Sequence, residues 1–269
     1  MSNQTLIFKK VPAGVVPVPG EHLVVEGRPF DIKSAPPPGG VVLRTNYASF
    51  DPFLRVKMCS ADNASLEPFE IDGPIDNSTI STVIKSDTPS YQPGDIVAAY
   101  VPIAEYNVLT NDKLNLIEGK VDNPFGLDLG LFLGPLGMPG LTAYSSLYEV
   151  GEPEMGQTLF VTSAAGAVGQ LVGQLAKREG LKVIGSVGSD DKLAFITKEL
   201  GFDGGFNYKK EKTFEALQRL APEGIDIFYD NVGGEQFEAT LLHMKTLGRV
   251  VISGAVSWPA TGKVCGPAH

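Results

Sequence analysis

Thr158-Leu159-Phe160-Val161-Thr162-Ser163-Ala164-Ala165-Gly166-Ala167-Val168-Gly169 is the stretch whose reading decides the fold. It opens on an apolar run of strand length and passes through a turn of small residues. Val168, Leu171, Val172 and Leu175 then recur at helical spacing. The turn has the form Ala164-x-Gly166-x-x-Gly169, the dinucleotide fingerprint with alanine in place of its first glycine. Small residues let the backbone approach a pyrophosphate, and the helix N-terminus offers unpaired N–H groups and partial positive charge to it. Gly169 and Gly173 allow the helix to pack closely. Alone, such a pattern reads as readily as a ligand-free glycine turn; what surrounds it decides.

Toward the C-terminus, further strands alternate with helical segments. They are Lys182–Val187, Phe206–Tyr208, Ile225–Tyr229 and Arg249–Ser253. Ser189-Asp190-Asp191 has the form of a helix N-cap followed by first-turn acids. This alternation predicts an α/β fold with a doubly wound parallel sheet. Toward the N-terminus the texture changes to short apolar runs between turn signals. Val41–Thr45 follows Pro36-Pro37-Pro38-Gly39-Gly40, and Asp95–Val101 follows Pro93-Gly94. That pattern predicts a β-rich domain. The expected organisation is a first domain over 1–125, a Rossmann domain over 126–257 and a divergent tail over 258–269, disordered or loosely packed.

Composition narrows the function. The 269 residues are 43% hydrophobic and 20% charged, ordinary values for a globular protein. A net charge of −9 argues against a nucleic-acid partner but is compatible with a small phosphorylated ligand held by one local cation. The two cysteines, Cys59 and Cys265, make no disulfide framework and fit a reducing, cytoplasmic setting. The polar start Met1-Ser2-Asn3-Gln4 lacks the features of a signal peptide. The longest apolar stretch, Leu127–Leu141, is too interrupted by glycine and proline to span a membrane. Zinc sites need several Cys, His or acid ligands, whereas the first 125 residues hold one His and one Cys. His22 reads there as a surface histidine and Cys59 as a buried thiol, so no metal is expected.

The second strand bears on which dinucleotide binds. NAD sites carry an acid at its tip for the ribose hydroxyls. Here the strand ends Val187-Gly188; Asp190 and Asp191 come later, and Lys192 follows at once. A small residue beside a lysine suits the extra phosphate of NADP, although Lys192 taken alone reads equally as a solvated helix lysine.

These residues resemble a known family. The carriers are Leu136–Tyr144, Ala164–Lys177, Gly185–Lys192, Gly201-Phe202-Asp203, Phe206–Lys209 and Asp230–Gly234. They resemble the zinc-independent alkenal double-bond reductases and prostaglandin reductases (leukotriene B4 dehydrogenase-like) of the medium-chain dehydrogenase/reductase superfamily, in their fungal form. The resemblance runs from about residue 5 to 257. It implies an N-terminal GroES-like β domain, a C-terminal Rossmann domain and NADPH as cofactor. The implied reaction is hydride transfer to the β-carbon of an α,β-unsaturated aldehyde or ketone, with protonation of the α-carbon. By the same resemblance, Gly166, Ala167, Val168 and Gly169 hold the pyrophosphate. Lys192 and Tyr208 stand at the adenosine 2′-phosphate, Asn231 near the ribose and nicotinamide, and Ser253 and Gly254 at the strand end lining the nicotinamide.

The sequence departs from the family at its phenols. Phe53 occupies the tyrosine of the family's Asp-Pro-Tyr segment, a second tyrosine falls near Ser78, and Pro259 takes the place of a third. Tyr47 and Tyr106 remain as first-domain phenols, neither at a matched catalytic position, so the proton donor stays unassigned. Arg55 follows the family pattern and reads as a structural ion-pair residue. Family members continue with a sixth Rossmann strand, whereas this chain ends in a proline- and glycine-bearing segment unlike theirs. A truncated form with an unpaired sheet edge is therefore expected, and the homodimer common in the superfamily is in doubt. A quinone reductase on the same scaffold and a non-catalytic NADP-binding protein stay open as alternatives.

Overall fold

A computed structural model describes residues 1–13, 16–59 and 66–257. The chain divides into two compact units, the first ending at Leu133 and the second beginning at Gly134. The expected tail, with Pro259 and Cys265, lies outside the described residues.

The first unit is built from strands β1 (Ser2–Phe8), β2 (Leu23–Pro29), β3 (Val41–Ala48), β4 (Asp76–Ser86), β5 (Ile96–Pro102), β6 (Tyr106–Leu109) and β7 (Ile117–Lys120), with one short helix, α1 (Leu54–Lys57). β1 and β2 form an antiparallel pair, and the others form a sheet in the order β6-β3-β4-β5-β7. Every pairing in it is antiparallel. Period-two alternation explains its core. Val97, Ala99 and Val101 of β5 are buried while their neighbours are half-buried, and they pack with Val41, Leu43 and Val83. One expectation fails here. His22 is not at the surface but only 6% exposed, with Nδ1 accepting the Val18 N–H at 2.8 Å. The turn before β2 folds back on itself, and the imidazole satisfies a backbone donor there.

The second unit contains α2 (Met138–Ser146), β8 (Thr158–Val161), α3 (Ala167–Arg178), β9 (Lys182–Val187), α4 (Asp190–Ala194), β10 (Gly204–Asn207), α5 (Thr213–Leu220), β11 (Ile225–Asp230), α6 (Gly234–Leu241) and β12 (Met244–Ile252). Its sheet is wholly parallel, in the order β10-β9-β8-β11-β12. This is the doubly wound α/β fold that the sequence pattern predicts. Two strands differ in extent. β10 begins earlier than expected and stops before Tyr208. β12 begins at Met244, its register against β11 slipping between Ile225 and Ile227.

All four residues of β8 are buried, as a central parallel strand requires. Leu159 and Val161 pack on one face with Val172 and Val183. Phe160 stacks on the other between Phe206 and Phe228, with ring centroids 5.8 and 5.5 Å away. The buried face of α3 is Gly169, Val172, Gly173 and Ala176, whereas Val168, Leu171 and Leu175 flank it half-buried. The helix thus turns its smallest residues inward, which brings its axis close to the sheet and to Phe202.

Candidate functional site

Strand order reverses between β8 and β11, and open parallel sheets take their ligands at such a switch point, beyond the carboxyl ends of the strands. Three chain segments meet at that end of the sheet: the turn after β8, the turn after β11 and the residues following β12.

The turn after β8 is tightly specified. Ser163, a non-glycine residue, has φ 52°, a sparsely populated left-handed conformation of the kind that gathers at binding turns. The Ala164 N–H donates to the Ser186 carbonyl at 3.0 Å, and the Gly166 N–H to the Ser163 carbonyl at 2.8 Å. Gly166 is then the N-cap of α3 and has no side chain to cap it. The first-turn N–H groups of Ala167, Val168 and Gly169 are thereby left for an anion. A Cβ on Gly169 would lie 2.4 Å from the Ser163 carbonyl oxygen, and one on Gly173 would lie 1.9 Å from the Phe202 ring. The loop is thus a backbone cradle that any larger side chain would spoil, and the residues present fit a pyrophosphate.

The turn after β11 is organised by Asp230, which is 1% exposed. Its Oδ1 accepts the Thr162 hydroxyl at 2.7 Å and the Val232 N–H at 2.9 Å, and its Oδ2 accepts the Gly233 N–H at 2.9 Å. Thr162 Oγ1 in turn accepts the Asn231 N–H, and the Asn231 side-chain amide donates to the Thr162 carbonyl, both at 2.8 Å. After β12, the Ser253 and Gly254 N–H groups donate to the Asp230 carbonyl at 2.8 and 3.1 Å. Asn231, Ser253 and Gly254 are therefore brought together with the β8 turn through Asp230 and Thr162. Neither organiser was singled out from sequence. The usable signal was an acid at a buried strand end directly before the Asn-Val-Gly-Gly turn.

At the tips of β9 and β10 lies a second corner. Ser189 caps α4 as expected, its Oγ accepting the Lys192 N–H at 3.4 Å. The Lys192 ammonium is exposed and pairs with no carboxylate among the described residues. Tyr208 is 46% exposed, and its ring lies against Gly188, where a Cβ would sit 3.2 Å from the phenol oxygen. Asp190 is engaged. It accepts the Asn207 side-chain amide at 2.9 Å through Oδ1 and the Lys210 ammonium through Oδ2. The Asn207 amide and Lys210 hold its carboxyl below the usual carboxylate range.

The first unit carries a cluster that sequence reading passed over. Tyr100 stands opposite Ser78 in the β4–β5 ladder. Its phenol accepts the Lys57 ammonium at 3.3 Å, and Lys57 also reaches Asp76 at 3.4 Å and lies over the Phe69 ring. Burial pushes the Tyr100 phenol up, against the opposing pull of Lys57. Tyr47 donates to Asp128 at 3.3 Å, Tyr106 stacks on Phe30, and the Arg55 guanidinium donates to the Met58 carbonyl. Among the described residues no group of three or more His, Cys, Asp or Glu is placed to hold a metal ion. No helix among them is long and apolar enough to cross a membrane.

Two family models match the chain. "N-terminal domain of oxidoreductase" covers residues 6–117, and "Zinc-binding dehydrogenase" covers residues 167–267. The NADP-dependent oxidoreductase RED1 of Cochliobolus heterostrophus is 54% identical over 95% of this chain and 72% of its own length. The 2-alkenal reductase (NADP(+)-dependent) of Nicotiana tabacum is 38% identical over 96% of this chain and 74% of its own. The crystal structure of CurA from Vibrio vulnificus in complex with NADPH superposes with a TM-score of 0.84 at 30% identity, over 99% of this chain and 75% of that one. The chain belongs to the zinc-independent, alkenal-reductase-type branch of the medium-chain dehydrogenase/reductase superfamily, and so to the NADP-dependent oxidoreductases.

Proposed function

We propose that the chain reduces the carbon–carbon double bond of α,β-unsaturated aldehydes or ketones with NADPH, adding hydride at the β-carbon and a proton at the α-carbon. The observation that carries this reading is the uncapped N-terminus of α3 above the Gly169 cradle, at the switch point of a parallel sheet. The family relatives supply the substrate class.

In this reading the N–H groups of Ala167, Val168 and Gly169 bind the pyrophosphate, with Gly166 keeping the approach clear. Lys192 and Tyr208 bind the adenosine 2′-phosphate. Lys192 offers an exposed cation with no carboxylate partner among the described residues, and Tyr208 a phenol at the tip of the neighbouring strand. Asn231, Ser253 and Gly254 orient the nicotinamide end, and Asp230 and Thr162 position them. Bound NADPH supplies the hydride. The pair of cysteines supports a reducing, cytoplasmic setting.

The test is NADPH oxidation followed with a panel of 2-alkenals, enones and quinones. Saturable turnover with alkenals or enones, and a saturated aldehyde or ketone as product, is expected. Turnover with quinones alone would favour a quinone reductase. Cofactor binding without any turnover would make the chain a dinucleotide-binding protein and overturn the proposal.

A further inference from the structure

The corner proposed for the 2′-phosphate contains an acid that belongs, by chemistry, to the opposite specificity. A free carboxylate near the tip of the second strand accepts hydrogen bonds from ribose hydroxyls and repels a phosphate on the same ribose. Asp190 stands where such an acid would, one residue after the Ser189 N-cap and two before Lys192, but it is not free. Both of its oxygens are drawn toward β10 and the turn that follows it, one by the Asn207 amide and the other by Lys210.

Asn207 is itself fixed. It is 8% exposed, its backbone pairs with Val187 across the β9–β10 ladder, and its Oδ1 accepts the Lys209 N–H at 3.1 Å. Its carbonyl also accepts the Lys210 N–H at 2.8 Å, which holds the lysine in reach. Asp191, the other first-turn acid, has no side-chain partner among the described residues.

We infer that Asn207 and Lys210 are positioning residues for cofactor choice: they occupy and neutralise Asp190, so that Lys192 is the charge a 2′-phosphate meets. The inference rests on the placement of the 2′-phosphate at Lys192 and Tyr208. It explains how the acid next to the Ser189 cap can coexist with a 2′-phosphate, because Asp190 is engaged within the protein. Asn207 supplies geometry and Lys210 supplies charge.

The test is a double-mutant cycle read by binding alone. Cofactor fluorescence is titrated with NADPH and with NADH for the full chain, Lys210→Ala, Asp190→Asn, the double variant and Asn207→Ala, at low salt and at about 0.5 M salt. Thermal unfolding checks that each variant is folded. Lys210→Ala is expected to weaken NADPH about two- to fivefold at low salt, as loss of one exposed compensating charge allows. NADH binding should hold or improve, and the difference should shrink at high salt. Asp190→Asn in the Lys210→Ala background is expected to restore NADPH affinity, whereas Asp191→Asn there is not. Asn207→Ala should act in the same direction as Lys210→Ala.

Equal weakening of both cofactors, or no rescue by Asp190→Asn, would overturn the inference by making Lys210 merely structural. Lys192→Ala separates the two levels. If it weakens NADPH selectively while Lys210→Ala is silent, the inference fails and the site stands. If it weakens both cofactors equally, the site itself is misplaced and the inference falls with it.

Discussion

The turn after β8 and the corner at the tips of β9 and β10 are proposed to grip two phosphate groups of one cofactor, and they are built in opposite ways. The first is made of backbone. Its donors are helix-start N–H groups, and the close approaches of Gly169 to the Ser163 carbonyl and of Gly173 to Phe202 leave no room for a side chain. The second is made of side chains. Lys192 and Tyr208 are exposed, and Asp190 is held by two partners rather than by packing. A backbone cradle decides whether a dinucleotide binds at all and tolerates little change. A side-chain corner decides which dinucleotide binds, and it adjusts by small increments.

Substitutions graded by size test that contrast. The largest effect on cofactor binding is expected at Gly169→Val. Its Cβ would meet a backbone oxygen at 2.4 Å, so the helix start must shift. NADPH and NADH binding should be lost together in fluorescence titration, with about 1–3 kcal/mol lost in thermal unfolding from overpacking. If binding survived, the cradle would not be where the phosphates sit.

Asp230→Ala comes next. It strips the acceptor from Thr162, Val232 and Gly233, and buried donors left unsatisfied cost about 1–3 kcal/mol each. Urea unfolding should show a loss of about 3 kcal/mol, and both cofactors should bind more weakly. An unchanged midpoint would mean that the turn does not depend on this carboxylate.

Lys192→Ala gives the smallest and most selective change. NADPH should weaken by up to about fivefold, the scale of one exposed ion pair, with NADH unaffected. A single lysine at that scale cannot impose strict preference, and in the proposed site Tyr208 and the compensated Asp190 share the task.

The same contrast explains what was legible in the sequence. The cradle was legible because its physics is local: a buried strand, small residues and a helical stripe follow one another along the chain. The parallel, doubly wound sheet followed from strand–helix alternation, and the Ser189 cap from its neighbours; the order of its strands did not. The first sheet was legible as β-rich but not as a topology, since antiparallel partners such as β3 and β6 lie far apart in sequence. Non-local polar pairs were illegible for the same reason. Thr162 and Asp230 are 68 residues apart, and Lys57 and Tyr100 are 43 apart. His22 was misread because a histidine in a turn carries no mark of burial until its Nδ1 is seen to accept the Val18 N–H. The helical stripe on α3 pointed to the correct side of the helix, but of its large residues only Val172 lies on the deepest line, with Gly169, Gly173 and Ala176.

The cradle and the corner are proposed to make one NADPH site together. Titrating the full chain with NADPH and, separately, with NADH tests it directly, by following cofactor fluorescence at fixed ionic strength. A saturable signal for both, with NADPH binding more tightly, is the predicted result. No saturable signal with either, or tighter binding of NADH, would contradict it.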